Sequence, residues 1–449
     1  MKIVFIVRST LFTARGGDTI QVEETAANLR NLGVAVDIKK ASEKINYNDY
    51  DLLHFFNIIR PADILLHIKR SDKPFVVSTI LINYTLYDKH HRHGITGKLF
   101  TFIPASGIEY AKALYRFLTG RDTLVSISYL WKGQKRSVTE ILKKTKAVLV
   151  QAREEYKDLV KLYGVIPDYY LIHNGVNACL FQYSKTVNRV KNMVLCVARI
   201  EGLKNQYNLI KALNNTAYTL VLIGDAAPNQ KGYYQQCRDI AAGNVSFINQ
   251  LPQPQLADYY AAATIHVLPS WFEVCGLSSM EAAAMGCRIV VTDNGYARSY
   301  FEDDAFYCDP AKPESILQAV ELAMNTDYDN GLQKKIRENY SWKKTAADTL
   351  AVYKKQSLHI AIIGTRGIPN HYGGFEQVAQ YLSVGLLNKG HTVTVYNSND
   401  HPYKQNEWQG VQIIHCYDAE KFIGTAGQFI YDLNCIRNER KKNFDVILF

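Results

Sequence analysis

Glu273 and Glu281 are separated by seven residues in SWFEVCGLSSMEAAAMG (270–286), the first just before Gly276 and the second inside an apolar, alanine-rich run. The pair straddles a predicted loop-to-helix junction. A helix beginning near Leu277 turns the free N–H groups of its first turn, and the positive end of its dipole, out of the Gly276 turn. Those amides, from Gly276 through Leu277 and Ser278, form a ready site for phosphate. Glu281 then falls on the first or second turn and Glu273 stands just outside. Carboxylates accept hydrogen bonds from hydroxyls, so a ligand with a ribose at one end, phosphates in the middle and a sugar at the other satisfies both acids. A nucleotide sugar has that layout. Taken alone, the same pair also reads as a helix-start acid and a solvated loop residue.

Two cations sharpen the pattern. In VARIEGLKNQYNLI (197–210), Arg199 follows a predicted strand and Lys204 precedes a predicted helix, where both can reach an anion at the carboxyl end of a parallel sheet. Asp-x-Asp occurs twice, at Asp49/Asp51 and Asp327/Asp329, but in polar, turn-like stretches. No metal site is expected, and no cofactor.

The elements that must position these residues are short β-branched runs alternating with helical patterns. KNMVLCVARI (191–200), YTLVLIGDA (218–226), NVSFIN (244–249), TIHVLPS (264–270) and CRIVVTDNG (287–295) read as strands, with NQYNLIKAL and QLADYYAAA as helices between them. Such alternation predicts a doubly wound parallel sheet. A repeat frames this unit. Residues 2–38 recur in outline at 359–396 as strand, Gly-Gly loop, amphipathic helix, Gly and strand. The expected division is an N-terminal Rossmann-like domain (1–170), a second one (171–340), a helix (341–356) and a third, partial unit (357–449). Only Gln356 and Ser357 separate the helical pattern from the next strand, which excludes a long flexible tether. The closing FDVILF reads as a buried strand parallel to YDLLHFF (50–56), and the chain ends there as either a shortened tandem or a half-domain.

Composition sets the class. At 449 residues, 47% hydrophobic and 21% charged, the chain has room for several packed domains and no disordered bias. MKIVFIVRST lacks the apolar core and cleavage site of a signal peptide. No stretch approaches the roughly 20 apolar residues of a membrane span, so a cytoplasmic setting is expected. The eight cysteines form no CxxC pair, and Cys196 and Cys416 sit in strand-like runs; reduced core thiols are expected. The net charge of +10 does not point to nucleic acid, because no zinc finger, RNP-like motif or basic zipper accompanies it. KHHRHG (89–94) and KGQKRSVTEILKKTK (132–146) suit phosphate-bearing substrates, peripheral contact with an anionic membrane, or a plain solvated face.

At this point a resemblance becomes specific. The Glu273/Glu281 stretch resembles the glutamate-seven-glutamate motif of the family 4 retaining glycosyltransferases, and ARIEGLKN resembles their phosphate segment. A Gly-Gly loop at Gly16 and Gly17, YLIHNGVN (170–177), VLIGDA (221–226) and YSWKKTAADTLAVY (340–353) follow in the family's order over residues 1 to about 355. The resemblance implies a GT-B architecture, two Rossmann-like domains facing across a cleft. It also implies metal-independent transfer, in which Arg199 and Lys204 neutralise the leaving diphosphate, Glu273 binds the donor sugar's hydroxyls and Glu281 the ribose. The family's usual acceptor-side histidine aligns with Ile80, which leaves His54, Asn83 and Tyr84 as acceptor-side candidates, with Tyr87 and Asp88 beside them. GTRGIPNHYGGFE (364–376) resembles the N-terminal domain of rhamnosyltransferase-type family 4 enzymes, without a second glutamate motif after it.

The function expected is transfer of a sugar from a nucleotide-sugar donor to a glycan or lipid-linked acceptor, in building a surface polysaccharide. A non-catalytic sugar-nucleotide or glycan-binding scaffold, a sugar-nucleotide epimerase and an α-glucan phosphorylase are the alternatives.

Overall fold

Three sheets follow one another along the chain in the computed structural model, which describes residues 1–84, 87–88, 104–182, 189–327, 329–356, 358–389, 391–440, 442 and 444–449. The first contains β1 (Lys2–Val7), β2 (Ala35–Lys40), β3 (Leu52–Phe56), β4 (Phe75–Ser78), β5 (Ala147–Val150) and β6 (Tyr169–Leu171). They pair in parallel in the order β2-β1-β3-β4-β5-β6. The second contains β7 (Met193–Val197), β8 (Thr219–Ile223), β9 (Val245–Ile248), β10 (Ile265–Leu268), β11 (Arg288–Thr292) and β12 (Phe306–Cys308), also all parallel, in the order β12-β11-β10-β7-β8-β9.

Strand periodicity decides what covers each face. Along β1, Ile3 and Phe5 point to one side and Val4 and Ile6 to the other, as the two-residue pleat requires. On the first side they meet Val22, Ala26 and Leu29 of the helix Gly17–Asn31, together with Ala346, Val352 and Tyr353 of the helix Trp342–Gln356. On the second they meet Ile64 and Leu65 of the helix Pro61–Arg70, and Val138 and Ile141 of the helix Tyr129–Lys144. A sheet buried on both faces explains why its strands read as near-continuous apolar runs.

The helix Trp342–Gln356 lies after the second sheet in sequence yet packs into the first sheet's core. The crossing is tight. Val176 bridges Ser341, and a Cβ on Gly175 would lie 2.2 Å from the Ser341 carbonyl carbon.

The repeat is visible as register. Lys2 pairs with Ala35 in the first sheet, and His359 pairs with Thr392 in the third, in β13 (His359–Ile362) and β14 (Thr392–Ser398). The third sheet adds β15 (Glu407–Trp408), β16 (Val411–Cys416) and β17 (Val446–Leu448), in the order β15-β16-β14-β13-β17 with only β15 antiparallel. β17 pairs with β13 as β3 pairs with β1. The expectation that FDVILF is buried is corrected: β17 lies at the edge of its sheet with Ile447 exposed, whereas β4 covers the free side of β3.

All eight cysteines are free thiols, and Cys179 alone is exposed. Among the described residues, no helix is long and apolar enough to cross a membrane. KHHRHG (89–94) lies outside the described residues.

Candidate functional site

Each parallel sheet has a switch point where neighbouring strands lead off in opposite directions, and ligands bind outside the carboxyl ends of strands there. In the second sheet that point lies between β7 and β10. Arg199 follows β7 and Glu273 follows β10. In the first sheet it lies between β1 and β3, with Gly16 and Gly17 following β1 and Asn57 and Arg60 following β3. All six residues line one cleft of about 650 Å³ between the two domains, within the size range of small-molecule sites.

On the second domain, the chain leaves β7 through Arg199 and reaches Lys204 at the end of a short 3-10 turn, Gly202–Lys204. Asn205 takes a left-handed conformation (φ 59°) and its side-chain amide donates to the carbonyls of Pro269 (3.1 Å) and Pro310 (2.7 Å). Trp271 N–H donates to Leu203 O at 2.9 Å. The segment carrying Lys204 is therefore stitched to the loop carrying Glu273, and Lys204 Nζ donates to Glu273 Oε2 at 2.6 Å. Ser270 Oγ donates to the same oxygen at 3.0 Å. Burial works against the charge of Lys204, but the adjacent Glu273 carboxylate outweighs it and holds the ammonium above its ordinary pKa. Arg199 is more open and pairs with Glu201 at 3.1 Å.

The Glu273 loop is fixed by its neighbour. Glu273 N–H donates to Asn294 O (3.1 Å) and Tyr296 N–H to Glu273 O (2.7 Å). Gly295 between them has φ 111°, and a Cβ there would lie 2.1 Å from Glu273 O. Only glycine fits this approach.

Gly276, at φ 66°, then caps the helix Leu277–Ala284. The first intrahelical bond runs from Met280 N–H to Gly276 O, and Leu277 and Ser278 line the cleft at the helix start. Glu281 lies in the second turn. It accepts from Tyr260 Oη (3.0 Å) and Gln253 Nε2 (3.2 Å). Burial pushes its carboxyl up to about 7, against those two hydrogen bonds.

The first domain presents Gly16 and Gly17 directly opposite. A Cβ on Gly16 would stand 3.7 Å from Arg199 Cζ, and one on Gly17 would stand 3.5 Å from Leu277 Cδ1. Arg8, at the end of β1, shapes this loop by donating to Asp18 Oδ2 (2.6 Å) and Ala14 O (2.7 Å).

Ile80, the residue aligned with the missing histidine, lines the cleft in a left-handed conformation (φ 45°) that a β-branched residue rarely adopts. Glu155, fully buried, holds it there. Its carboxylate accepts from Leu81 N–H (2.8 Å), Thr79 Oγ1 (2.5 Å) and Gln151 N–H (2.6 Å). Such strain persists only where surrounding structure over-determines it.

The acceptor-side candidates divide. Tyr84, Tyr87 and Asp88 line the cleft; Asn83 does not. His54 is corrected: it faces the core, sharing hydrogen bonds with Tyr353 Oη (2.5 Å) and Ser78 Oγ (2.8 Å), and burial pushes its pKa down to about 3. One acid of each Asp-x-Asp pair serves a turn, Asp49 accepting from Asn46 and Asp329 from Gly331 N–H, while Asp51 accepts from Lys2 N–H (2.6 Å) at the start of β1.

Several lining residues escaped sequence reasoning. Lys112 pairs with Asp88 and with Glu109 (2.9 Å), and its ammonium lies 4.6 Å from the Tyr84 ring centroid. Arg60 pairs with Asp63 (2.8 Å) and Asp122. Gln151 links Gln21 to Asn174, whose amide also reaches Cys275 Sγ (3.4 Å), so a polar chain crosses the cleft floor. Only Asn174, in the HNGV turn, carried a sequence signal.

Residues 182–341 match the family model described as Glycosyl transferases group 1. Over 209 residues the chain is 26% identical to an uncharacterized glycosyltransferase of Methanocaldococcus jannaschii, covering 41% of this chain and 53% of that protein. The chain spans about half the length of the curated relatives it matches. Among solved structures, sucrose-phosphate synthase from Thermosynechococcus elongatus superposes with a TM-score of 0.62 at 15% identity, over 79% of this chain and 99% of that one. Anabaena HepE in complex with UDP-glucose gives a TM-score of 0.57 at 15% identity, over 78% and 100%. The fold is GT-B: two Rossmann-like domains facing a cleft, with the third sheet appended.

Proposed function

We propose that the chain is a retaining glycosyltransferase that moves a sugar from a nucleotide-sugar donor to a glycan or lipid-linked acceptor, in the cytoplasm and in building a surface polysaccharide. One observation carries the reading. Arg199, the Lys204–Glu273 pair and the start of the helix Leu277–Ala284 converge on one wall of the interdomain cleft. In this reading the ribose hydroxyls bind Glu281, the diphosphate lies against Arg199, Lys204 and the amides of Leu277 and Ser278, and the sugar hydroxyls bind Glu273.

The bond between the anomeric carbon and the diphosphate oxygen breaks, and its electron pair leaves with the diphosphate. The acceptor hydroxyl bonds to the anomeric carbon on the same face, and its proton passes to the departing oxygen. Charge grows on the diphosphate as that bond stretches. Fixed cations and helix amides stabilise it without reorganising, and removing one such donor typically costs on the order of 10² to 10³ in rate. No metal is required by this arrangement of charge. The HepE complex with UDP-glucose supports a nucleotide-sugar as the ligand class.

The test is nucleotide release from UDP-, GDP-, dTDP- and ADP-sugars with EDTA present, beside the Glu273→Ala variant. Release from one donor that the variant lacks is expected. Equal release from both proteins would sink the reading, and tight donor binding with no release across acceptors would favour a binding scaffold.

A further inference from the structure

We propose that the connection between the helices Ala105–Leu118 and Tyr129–Lys144, with the helix ends it joins, docks the first domain on an anionic membrane surface. Six large apolar side chains are exposed within residues 115–131. Leu118 is 73% exposed, Ile127 68%, Trp131 67% and Tyr115 55%. Elsewhere among the described residues of the first two domains such side chains are sparser, the next grouping being Leu162, Ile166 and Tyr169, and scattered ones are ordinary. Here they cluster. Ile127, Leu130 and Trp131 fall within one turn, closed by the Leu130 N–H to Ile127 O hydrogen bond (3.0 Å). Tyr110 Oη, from the preceding helix, donates to Leu130 O (2.7 Å) and holds the two elements together.

Charge selects the partner. From Arg116 to Lys146 there are eight Lys and Arg residues against two acids, Asp122 and Glu140. Glu140 is engaged by Lys132 and Lys144, and Asp122 by Arg60. Lys135, Arg136 and Lys143 are exposed and have no ion pair among the described residues. An apolar tip with an indole and a phenol, backed by unneutralised cations, matches the boundary between anionic headgroups and acyl chains. A second copy of the chain would set like charges against each other. Nucleic acid would leave Leu118 and Ile127 without a use.

The surface also lies where an acceptor would arrive. Glu109, Lys112 and Arg116 follow helical spacing along one face of the helix Ala105–Leu118 and line the cleft. Leu118 falls on the opposite side of the same helix, about one helix diameter, roughly 10 Å, from that face, with Tyr115 between the two. Docking through this surface sets the acceptor side of the cleft beside the bilayer. Delivery of a lipid-linked acceptor rests on the transferase reading above; the docking does not.

The experiment is cosedimentation of the full chain with phosphatidylcholine vesicles, with and without phosphatidylglycerol, at low and high salt. Binding that needs the anionic lipid and weakens with salt is expected. Each cation at an anionic surface contributes about fivefold, so the Lys135→Glu/Arg136→Glu variant should bind at least about 25-fold more weakly. Leu118→Ser/Ile127→Ser/Trp131→Ala should remove the binding that survives high salt. All these positions are exposed, and far-UV circular dichroism checks that the variants fold. Equal binding to neutral vesicles, no binding at low salt, unchanged binding by both variants, or preference for single-stranded RNA over vesicles would each overturn the proposal. Nucleotide release from a soluble donor separates the two ideas: the variants should keep the wild-type rate, whereas a wild type without release strikes only the transferase reading.

Discussion

Lys204 and Glu273, 69 residues apart in sequence, share a 2.6 Å hydrogen bond on one wall of the cleft. The cation assigned to the diphosphate and the acid assigned to the sugar are thus one electrostatic unit. Removing either leaves the other partly buried without its main partner, at side-chain exposures of 20% and 11%.

Lys204→Ala and Glu273→Ala should each lower turnover by about 10² to 10³. Each should also cost roughly 1–3 kcal/mol of stability. Glu273→Gln retains an acceptor for Lys204 and should lose less stability while staying poorly active. Thermal unfolding set beside nucleotide release checks the split; a Gln variant with full turnover would remove Glu273 from the chemistry.

Glu281 titrates near neutrality, at about 7 against an ordinary 4.5. The folded state holds a proton between those values that the unfolded chain has released, so this group's contribution to stability falls as pH rises from about 4.5 through about 7. Glu281→Gln should therefore melt near the wild type at pH 5 and above it at pH 8. Ionised Glu281 is the stronger acceptor for ribose hydroxyls, so wild-type donor affinity should rise across the same window and the variant's should not. Parallel affinity curves for both proteins would contradict this.

Two glycines near the cleft should respond in opposite ways. Gly16 is extended (φ −158°), a conformation open to any residue. Gly16→Val should fold normally yet crowd Arg199 and Asp18, lowering kcat/KM for the donor by up to roughly 10². Gly295→Ala should cost about 2 kcal/mol or more, because its φ is left-handed and Glu273 O blocks the methyl group. Chemical denaturation of both variants tests the contrast.

His54 and His266 are fully buried, and burial pushes both pKa values down to about 3. The unfolded chain takes up these protons near the ordinary 6.5, so their contribution to stability is complete above that pH and is lost progressively as pH falls toward 3. His54→Gln should flatten part of this acid limb without altering nucleotide release at neutral pH. A matching change in release would return His54 to the acceptor side.

What could be read from sequence follows physical scale. The strands of the second sheet stand out because both faces are buried, but β12, three residues long, falls below any periodic signal. Arg199, Lys204, Glu273 and Glu281 were legible because each sits a few residues past a strand or inside one motif. Glu109, Lys112 and Arg116 share one face of the helix Ala105–Leu118, but that this face meets Arg60 and turns to the cleft is set by helix packing, which no spacing encodes. His54 was misplaced for a similar reason: its partner Tyr353 lies 299 residues away. Ile80 is the converse, since an ordinary apolar residue reaches the cleft through a backbone conformation imposed by Glu155.

The helix Trp342–Gln356 ends three residues before His359 begins β13, so the steps between them span at most roughly 11 Å. Because that helix is anchored in the first domain's core, order along the chain is a poor guide to which parts ride together. The third sheet is leashed to the first domain, although the second domain is the one that precedes it in sequence.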